Sequence, residues 1–209
     1  MKDLLNLYKS RKNEIKNRLK EFEEVWDQDD KRIFTELVFC MLTPQSKAES
    51  CWRAASKMLE TGKLFTGNKK DIQKFLFDVR FPENKSKYII EAREKFMITG
   101  DVRIKDKLNF ESKKEAREWV VENVKGLGYK EASHFLRNIG MGSELAILDR
   151  HILRNLVTYA VIKEMPKSLT HKNYLEIENK MRHFAWKIGV PFPELDLLLW
   201  SKETGKVFK

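Results

Sequence analysis

The sequence predicts an all-α protein arranged as two helical lobes. Three observations carry this reading. Apolar residues recur at helical spacing in almost every segment, capping signatures open several of these segments, and no stretch alternates polar and apolar residues between hairpin turns. With 209 residues, 42% of them hydrophobic, the chain can bury a core as one large domain or two small lobes.

The elements follow in chain order. Residues 1–22 read as a charged amphipathic helix, not a signal peptide. Arg32 to Leu42 is short and very apolar, follows Asp29 and Asp30, and belongs at the centre of a core. Ser46 and Glu49 have the spacing of a capping box; Cys51, Trp52, Ala55, Met58 and Leu59 then share one face until Gly62 closes the segment. Asn84 to Thr99 is a helix stopped by Gly100, and Ser112 with Glu115 opens another that carries Ala116, Trp119 and Val120. Tyr129 to Ile139, Asp149 to Val161, Tyr174 to Ile188 and Glu194 to Trp200 complete the set. The punctuation at Met141-Gly142-Ser143 suggests the lobe boundary: residues 30–148 in one lobe, 1–29 and 149–209 in the other.

Composition narrows the function. Lys and Arg number 41 against 31 Asp and Glu, a net charge of +10, which favours a polyanionic partner, nucleic acid before an anionic membrane. Cys40 and Cys51 both fall on apolar helix faces, so buried free thiols and an intracellular, cytoplasmic setting are expected. Two cysteines cannot hold an iron–sulfur cluster, which needs about four, and four scattered histidines make no zinc site. No apolar run approaches the roughly 18–20 residues of a membrane span.

The stretch from Val124 to Ile152 carries the chemistry. Gly126 and Gly128 make a tight turn between two helices, where positive φ and missing Cβ atoms let a phosphate approach the backbone. The following helix directs its free N–H groups and positive dipole end at such an anion. Lys130 sits in that helix's first turn, where the dipole and partial burial would favour the neutral amine that a nucleophile requires. Asp149 reads as an N-cap, which fixes its carboxylate where it could stabilise a developing sugar cation. Taken singly, these are an ordinary turn, a surface lysine and a helix cap. His134 and His151 read as hydrogen-bonding residues of helix faces rather than catalysts.

Together, Gly126-Leu127-Gly128, Lys130 and Asp149 resemble the hairpin, catalytic lysine and downstream aspartate of the helix–hairpin–helix DNA glycosylases. Within that superfamily, residues 128–140, 148–153 and 196–209 are similar to the archaeal-type 8-oxoguanine DNA glycosylase/AP lyases, a class also found in some bacteria. The resemblance spans nearly the whole chain and is densest from Val124 to Lys209. It implies a two-lobed fold with the active site in the cleft between the lobes. Lys130 would form the Schiff base with C1′, and Asp149 would stabilise the oxocarbenium-like state and assist proton transfer. Gly126 and Gly128 would hold a DNA phosphate, with a monovalent cation on the hairpin's backbone carbonyls. Gln45 would fill the hole left by the extruded base. Phe81 and Trp200 would stack on that base, Asp196 would accept hydrogen bonds from its edge, and Lys209, as terminal residue, would close the pocket and help read the lesion through its carboxylate. Gln45 reads equally as a loop residue, Phe81 and Trp200 as core, and Lys209 as a frayed tail.

The resemblance also implies a partner and a reaction. The partner is double-stranded DNA carrying 8-oxoguanine or an abasic site, bound by a monomer that is nucleoid-associated in a prokaryote. The reaction is base excision through the lysine, then β-elimination, with no catalytic metal and no organic cofactor. The four-cysteine cluster of related thymine-glycol enzymes is missing here, which argues against an oxidised-pyrimidine substrate. The alternatives are a glycosylase of this fold for another damaged base and a non-catalytic DNA-binding module.

Overall fold

Periodicity becomes helix along most of the chain in the computed structural model, which describes residues 1–209. Helix α1 (Lys2–Trp26) is charged and buries only Leu4, Tyr8, Ile15, Phe22 and Val25. Helix α2 (Asp30–Leu42) starts at Asp29, whose carboxylate accepts the Arg32 N–H at 2.8 Å, and is buried without interruption from Ile33 to Leu42. That unbroken burial fits a helix apolar on nearly every side, with Thr35 and Glu36 the buried exceptions. Around it stand α3 (Ala48–Glu60), α4 (Lys63–Thr66), α5 (Lys69–Phe75), α6 (Pro82–Phe96), α7 (Lys113–Asn123) and α8 (Tyr129–Asn138). Three further helices, α9 (Arg150–Thr158), α10 (His171–Ile188) and α11 (Phe192–Thr204), pack with α1.

Several local expectations are corrected. The capping box at Ser46 and Glu49 does not form: α3 starts at Ala48 with Lys47 as its uncapped N-cap. The Ser46 hydroxyl instead accepts the Arg80 N–H at 3.0 Å. At Ser112 the hydroxyl does cap α7, but it accepts from Lys114 and not from Glu115. Helix α6 ends at Phe96, and Met97–Ile98 pairs antiparallel with Asp101–Val102 across a turn at Thr99 and Gly100, both with positive φ. This hairpin, α4 and α5 are too short to show a period, although Asn68 and Asp71 do form a capping box at α5. Pro193 does not delay α11, because a proline fits the first turn of a helix.

The buried apolar residues form two clusters. One gathers Val25 and residues between Ile33 and Leu145 around α2; the other gathers α1 up to Phe22 with residues from Ala146 to Val207. Membership of the clusters changes over between Phe22 and Val25 and between Leu145 and Ala146. Buried polar contacts join the two clusters. Arg117 of α7 donates to both Glu178 oxygens of α10, at 2.6 and 3.2 Å, and Glu178 also accepts the Ala146 N–H at 2.7 Å. Both cysteines are free and buried, as expected.

Candidate active site

The site begins at the turn between α7 and α8. Gly126 has φ of +86°, and a Cβ there would stand 2.6 Å from the Tyr88 ring, so only glycine fits. Gly128 differs from expectation: its φ of −95° suits any residue. It serves as the N-cap of α8, and its N–H donates to Glu131 Oε2 at 3.2 Å. The carbonyls of Lys125, Gly126 and Leu127 accept no backbone hydrogen bond.

Helix α8 then aims one face inward. Lys130, His134 and Arg137 lie three and four residues apart, so all three reach the wall of one cavity of about 890 Å³. The start of α9 also lines it, with Asp149, Arg150 and His151, and so does α11, with Asp196 and Trp200. Gln45, Ser46 and Arg80 line it from the loops before α3 and α6, and Lys206 and Lys209 line it from the C-terminal segment. Residues among 43–49, 80 and 130–137 from one part of the chain and among 147–209 from the other thus line one space.

Of the expected site residues, Lys130, Asp149, Gln45, Asp196, Trp200 and Lys209 line this cavity. Lys130 is three-quarters buried, and its ammonium pairs with Glu131 Oε1 at 3.0 Å. Asp149 is the N-cap of α9, with Oδ1 accepting the Ile152 N–H at 2.7 Å. Three carboxylates line the cavity. Asp196 is paired with Arg137 at 3.1 Å and Glu49 with Lys206 at 2.6 Å. Asp149 has no cation within ion-pair distance, so its charge faces the cavity unneutralised. Burial raises the Asp196 carboxyl above its ordinary pKa; Arg137 opposes this shift and the Asp149 charge adds to it.

Lys209 is tethered, not frayed. Its ammonium binds Glu36 and lies 3.7 Å from the centre of the Trp52 ring, a cation–π contact. Burial lowers its pKa while Glu36 opposes that shift. Gln45 is exposed at the rim with φ of +56°, a left-handed conformation that non-glycine residues adopt at a cost of about 1–3 kcal/mol. Phe81 does not line the cavity: it is the N-cap of α6, exposed, with φ of +59°, and carries the Arg80 guanidinium 5.4 Å from its ring centre.

Sequence reasoning missed three residues. His134 Nε2 and His151 Nδ1 are buried without a hydrogen-bond partner, contrary to the hydrogen-bonded helix faces expected of both. Burial and the cations Arg137, Lys130 and Lys209 hold the His134 pKa well below the ordinary histidine value, so it is neutral. Its signal was available, because a residue four positions after Lys130 shares its helix face. Arg137 was also missed, since its partner lies 59 residues away.

A hairpin with free carbonyls, a helix N-terminus behind it, and a lysine and an unpaired carboxylate lining one cavity match the pattern of the helix–hairpin–helix DNA glycosylases. Comparison with known proteins narrows the class. A family model described as 8-oxoguanine DNA glycosylase matches residues 15–190. A Fusobacterium nucleatum protein named 8-oxoguanine DNA glycosylase/AP lyase is 50% identical over 209 residues, covering 99% of this chain and 96% of its own. A Korarchaeum cryptofilum protein of the same name is 40% identical over 210 residues, covering 99% and 96%. The crystal structure of the Methanocaldococcus jannaschii 8-oxoguanine glycosylase/lyase in complex with a 15mer DNA containing 8-oxoguanine superposes with a TM-score of 0.88, at 36% identity, covering 100% of both chains. The chain belongs to the 8-oxoguanine DNA glycosylase family.

Proposed function

We propose that this protein excises 8-oxoguanine from double-stranded DNA and then cleaves the strand at the resulting abasic sugar. The observation that carries the reading is that Lys130 and an Asp149 without an ion-pair partner line one cavity. The names borne by its full-length relatives supply the base. The net charge of +10 suits a DNA partner, and chemistry at a nucleoside inside a duplex requires the nucleotide to be turned out of the stack.

The steps follow from the groups present. The Lys130 amine must leave Glu131 and lose a proton before it can attack. Its lone pair forms a bond to C1′ as the glycosidic bond breaks, and the base departs with that electron pair and takes up a proton. Positive charge grows on the sugar during this step, and Asp149, fixed by its cap, faces it. Opening of the sugar ring leaves an iminium between Nζ and C1′. That iminium acidifies C2′; loss of its proton and rupture of the C3′–O bond cut the strand 3′ to the lesion. The free carbonyls of Lys125, Gly126 and Leu127 fit a monovalent cation, which would add positive charge beside a DNA phosphate. No helix is long and apolar enough to cross a membrane. A cytoplasmic, nucleoid-associated monomer is the setting this activity needs.

Borohydride tests the lysine. Reduction of the iminium should leave a stable enzyme–DNA adduct on an 8-oxoguanine duplex, and Lys130→Gln should abolish it. An adduct formed by Lys130→Gln at the normal yield would remove the lysine from the mechanism. A non-catalytic binding module would show salt-dependent binding with neither adduct nor base release.

A further inference from the structure

Lys85 of α6 is a buried ammonium that the reaction above does not use. It donates to the Leu42 carbonyl at 2.7 Å, the Pro44 carbonyl at 2.8 Å and the Ser46 hydroxyl at 3.1 Å. A contact with Leu42 alone would be a cap on the end of α2. The other two acceptors stand on either side of Gln45, the exposed rim residue with left-handed backbone. Ser46 extends the link, because its oxygen also accepts the Arg80 N–H at 3.0 Å. One ammonium therefore joins two loops, each carrying a left-handed non-glycine residue, Gln45 in one and Phe81 in the other. These loops present Gln45, Ser46 and Arg80 to the cavity.

We propose that Lys85 is a positioning residue for base extrusion: its ammonium holds the 43–47 loop and the 80–81 loop in one arrangement, so that Gln45 enters the duplex as a preformed wedge. This rests on the assignment of Gln45 as the residue that fills the vacated hole. Two features support a positioning role. A lysine is a costly way to satisfy two carbonyls, because burial pushes its pKa down to about 8. A strained backbone persists only where its surroundings over-determine it, and Gln45 is flanked by both clamp contacts. Binding energy from the duplex then goes into unstacking the base and not into ordering the loop.

The test separates extrusion from chemistry. Lys85→Met keeps the length of the side chain and removes its donors; Ser46→Ala is the milder variant, removing the link to Arg80, one contact of the Lys85 ammonium and the long 3.4 Å bond from the Ser46 hydroxyl to the Pro44 carbonyl. Each is compared with Gln45→Ala on two duplexes, one containing 8-oxoguanine with 2-aminopurine as its neighbour and one containing a preformed abasic site. Rates are taken per active enzyme, counted as the fraction trapped by borohydride on the abasic duplex, so misfolded protein does not enter. Lys85→Met should slow the fluorescence rise and base release by about tenfold to a hundredfold, as a misplacement of about 1 Å does. Cleavage of the abasic duplex should stay within about threefold, since that sugar has no base to unstack. Ser46→Ala should show the same split in smaller measure. If Gln45→Ala slows extrusion and the Lys85 and Ser46 variants do not, the clamp is wrong and the wedge stands. If none of the three does, the wedge itself fails and the clamp with it. Equal losses on both duplexes in Lys85→Met would reduce the residue to a structural cap and overturn the proposal.

Discussion

Asp149 is a helix cap with a proposed catalytic role, and a pair of substitutions separates the two. Its Oδ1 caps α9 by accepting the Ile152 N–H at 2.7 Å, and its charge faces the cavity with no cation beside it. Asparagine is as good an N-cap as aspartate, so Asp149→Asn keeps the hydrogen bond and loses only the attraction of a charge to the helix dipole, about 0.3–1 kcal/mol. Relief of the repulsion that Asp149 exerts on Asp196 offsets part of that loss. Asp149→Ala loses the cap as well, about 1–2 kcal/mol in all. In a chain of this size the melting temperature falls about 2–4 °C per kcal/mol, so the expected drop is about 2–8 °C for alanine and under about 4 °C for asparagine.

Catalysis should not follow that order. Opposite unit charges about 4 Å apart attract by about 4 kcal/mol at an effective dielectric of about 20, which is about a thousandfold in rate. Asp149 is only half-buried, so a loss of about a hundredfold to a thousandfold is expected, and nearly the same for both variants. Single-turnover base release from an 8-oxoguanine duplex, set beside thermal melting, measures both effects. Release by Asp149→Asn within about threefold of the parent enzyme would show that the charge does no catalysis and that Asp149 is a helix cap.

Trp200→Ala removes the half-buried ring on the α11 wall; with stacking at about 1–3 kcal/mol per base, the 8-oxoguanine duplex should bind about fivefold to 150-fold more weakly and an abasic duplex nearly as before, by fluorescence anisotropy, and an equal loss on both would deny the ring a role in holding the base. Arg117→Met strands the Glu178 carboxylate between the two apolar clusters at a cost of about 3–5 kcal/mol, or about 6–20 °C of melting temperature, and adding Glu178→Gln should recover part of it; a change under about 1 kcal/mol would mean that water reaches the pair. The Glu49 carboxyl is held below its ordinary value of 4.5, first by the hydrogen bond from Lys206, so the bridge from α3 to the C-terminal segment is complete above that value and lost as pH falls through the lowered one. In Lys206→Met its titration, followed by NMR, should return towards 4.5, and an unmoved midpoint would show that the bridge does not form in solution.

The parts legible in the sequence are those whose cause is local. A one-sided apolar stripe buries itself wherever it lies, and so α3, α8 and α9 follow from spacing alone. Asp149 is legible because an N-cap acts three residues away, and Lys130 because the glycine turn fixes where its helix begins. What failed has a distant cause. Ser46 has the signature of a capping box, yet Arg80 and Lys85 claim its hydroxyl from 34 and 39 residues away. Phe81 precedes Pro82, which disfavours the helical region for it; it turns left-handed, and its ring stays outside the cavity. The buried charges Arg117 and Arg137 look like surface residues until partners 61 and 59 positions away close on them.

Those distant pairings bear on how the two legible residues could act. Much of the charge in the cavity wall is already matched: Arg137 by Asp196, Lys209 by Glu36, Lys206 by Glu49. Each match removes a competitor. Arg137 could otherwise neutralise Asp149, and Asp196 could otherwise attract the cation that forms on the sugar. With both held by one another, the anion free to meet that cation is Asp149, which is fixed by a backbone N–H and not by a positive side chain. The same logic applies to Lys130. Its partner Glu131 is also bound to the Gly128 N–H, so the carboxylate stays with the hairpin when the amine swings into the cavity. On the proposed mechanism these pairings contribute to catalysis by leaving one carboxylate uncommitted and one lysine bridged only to its neighbour Glu131.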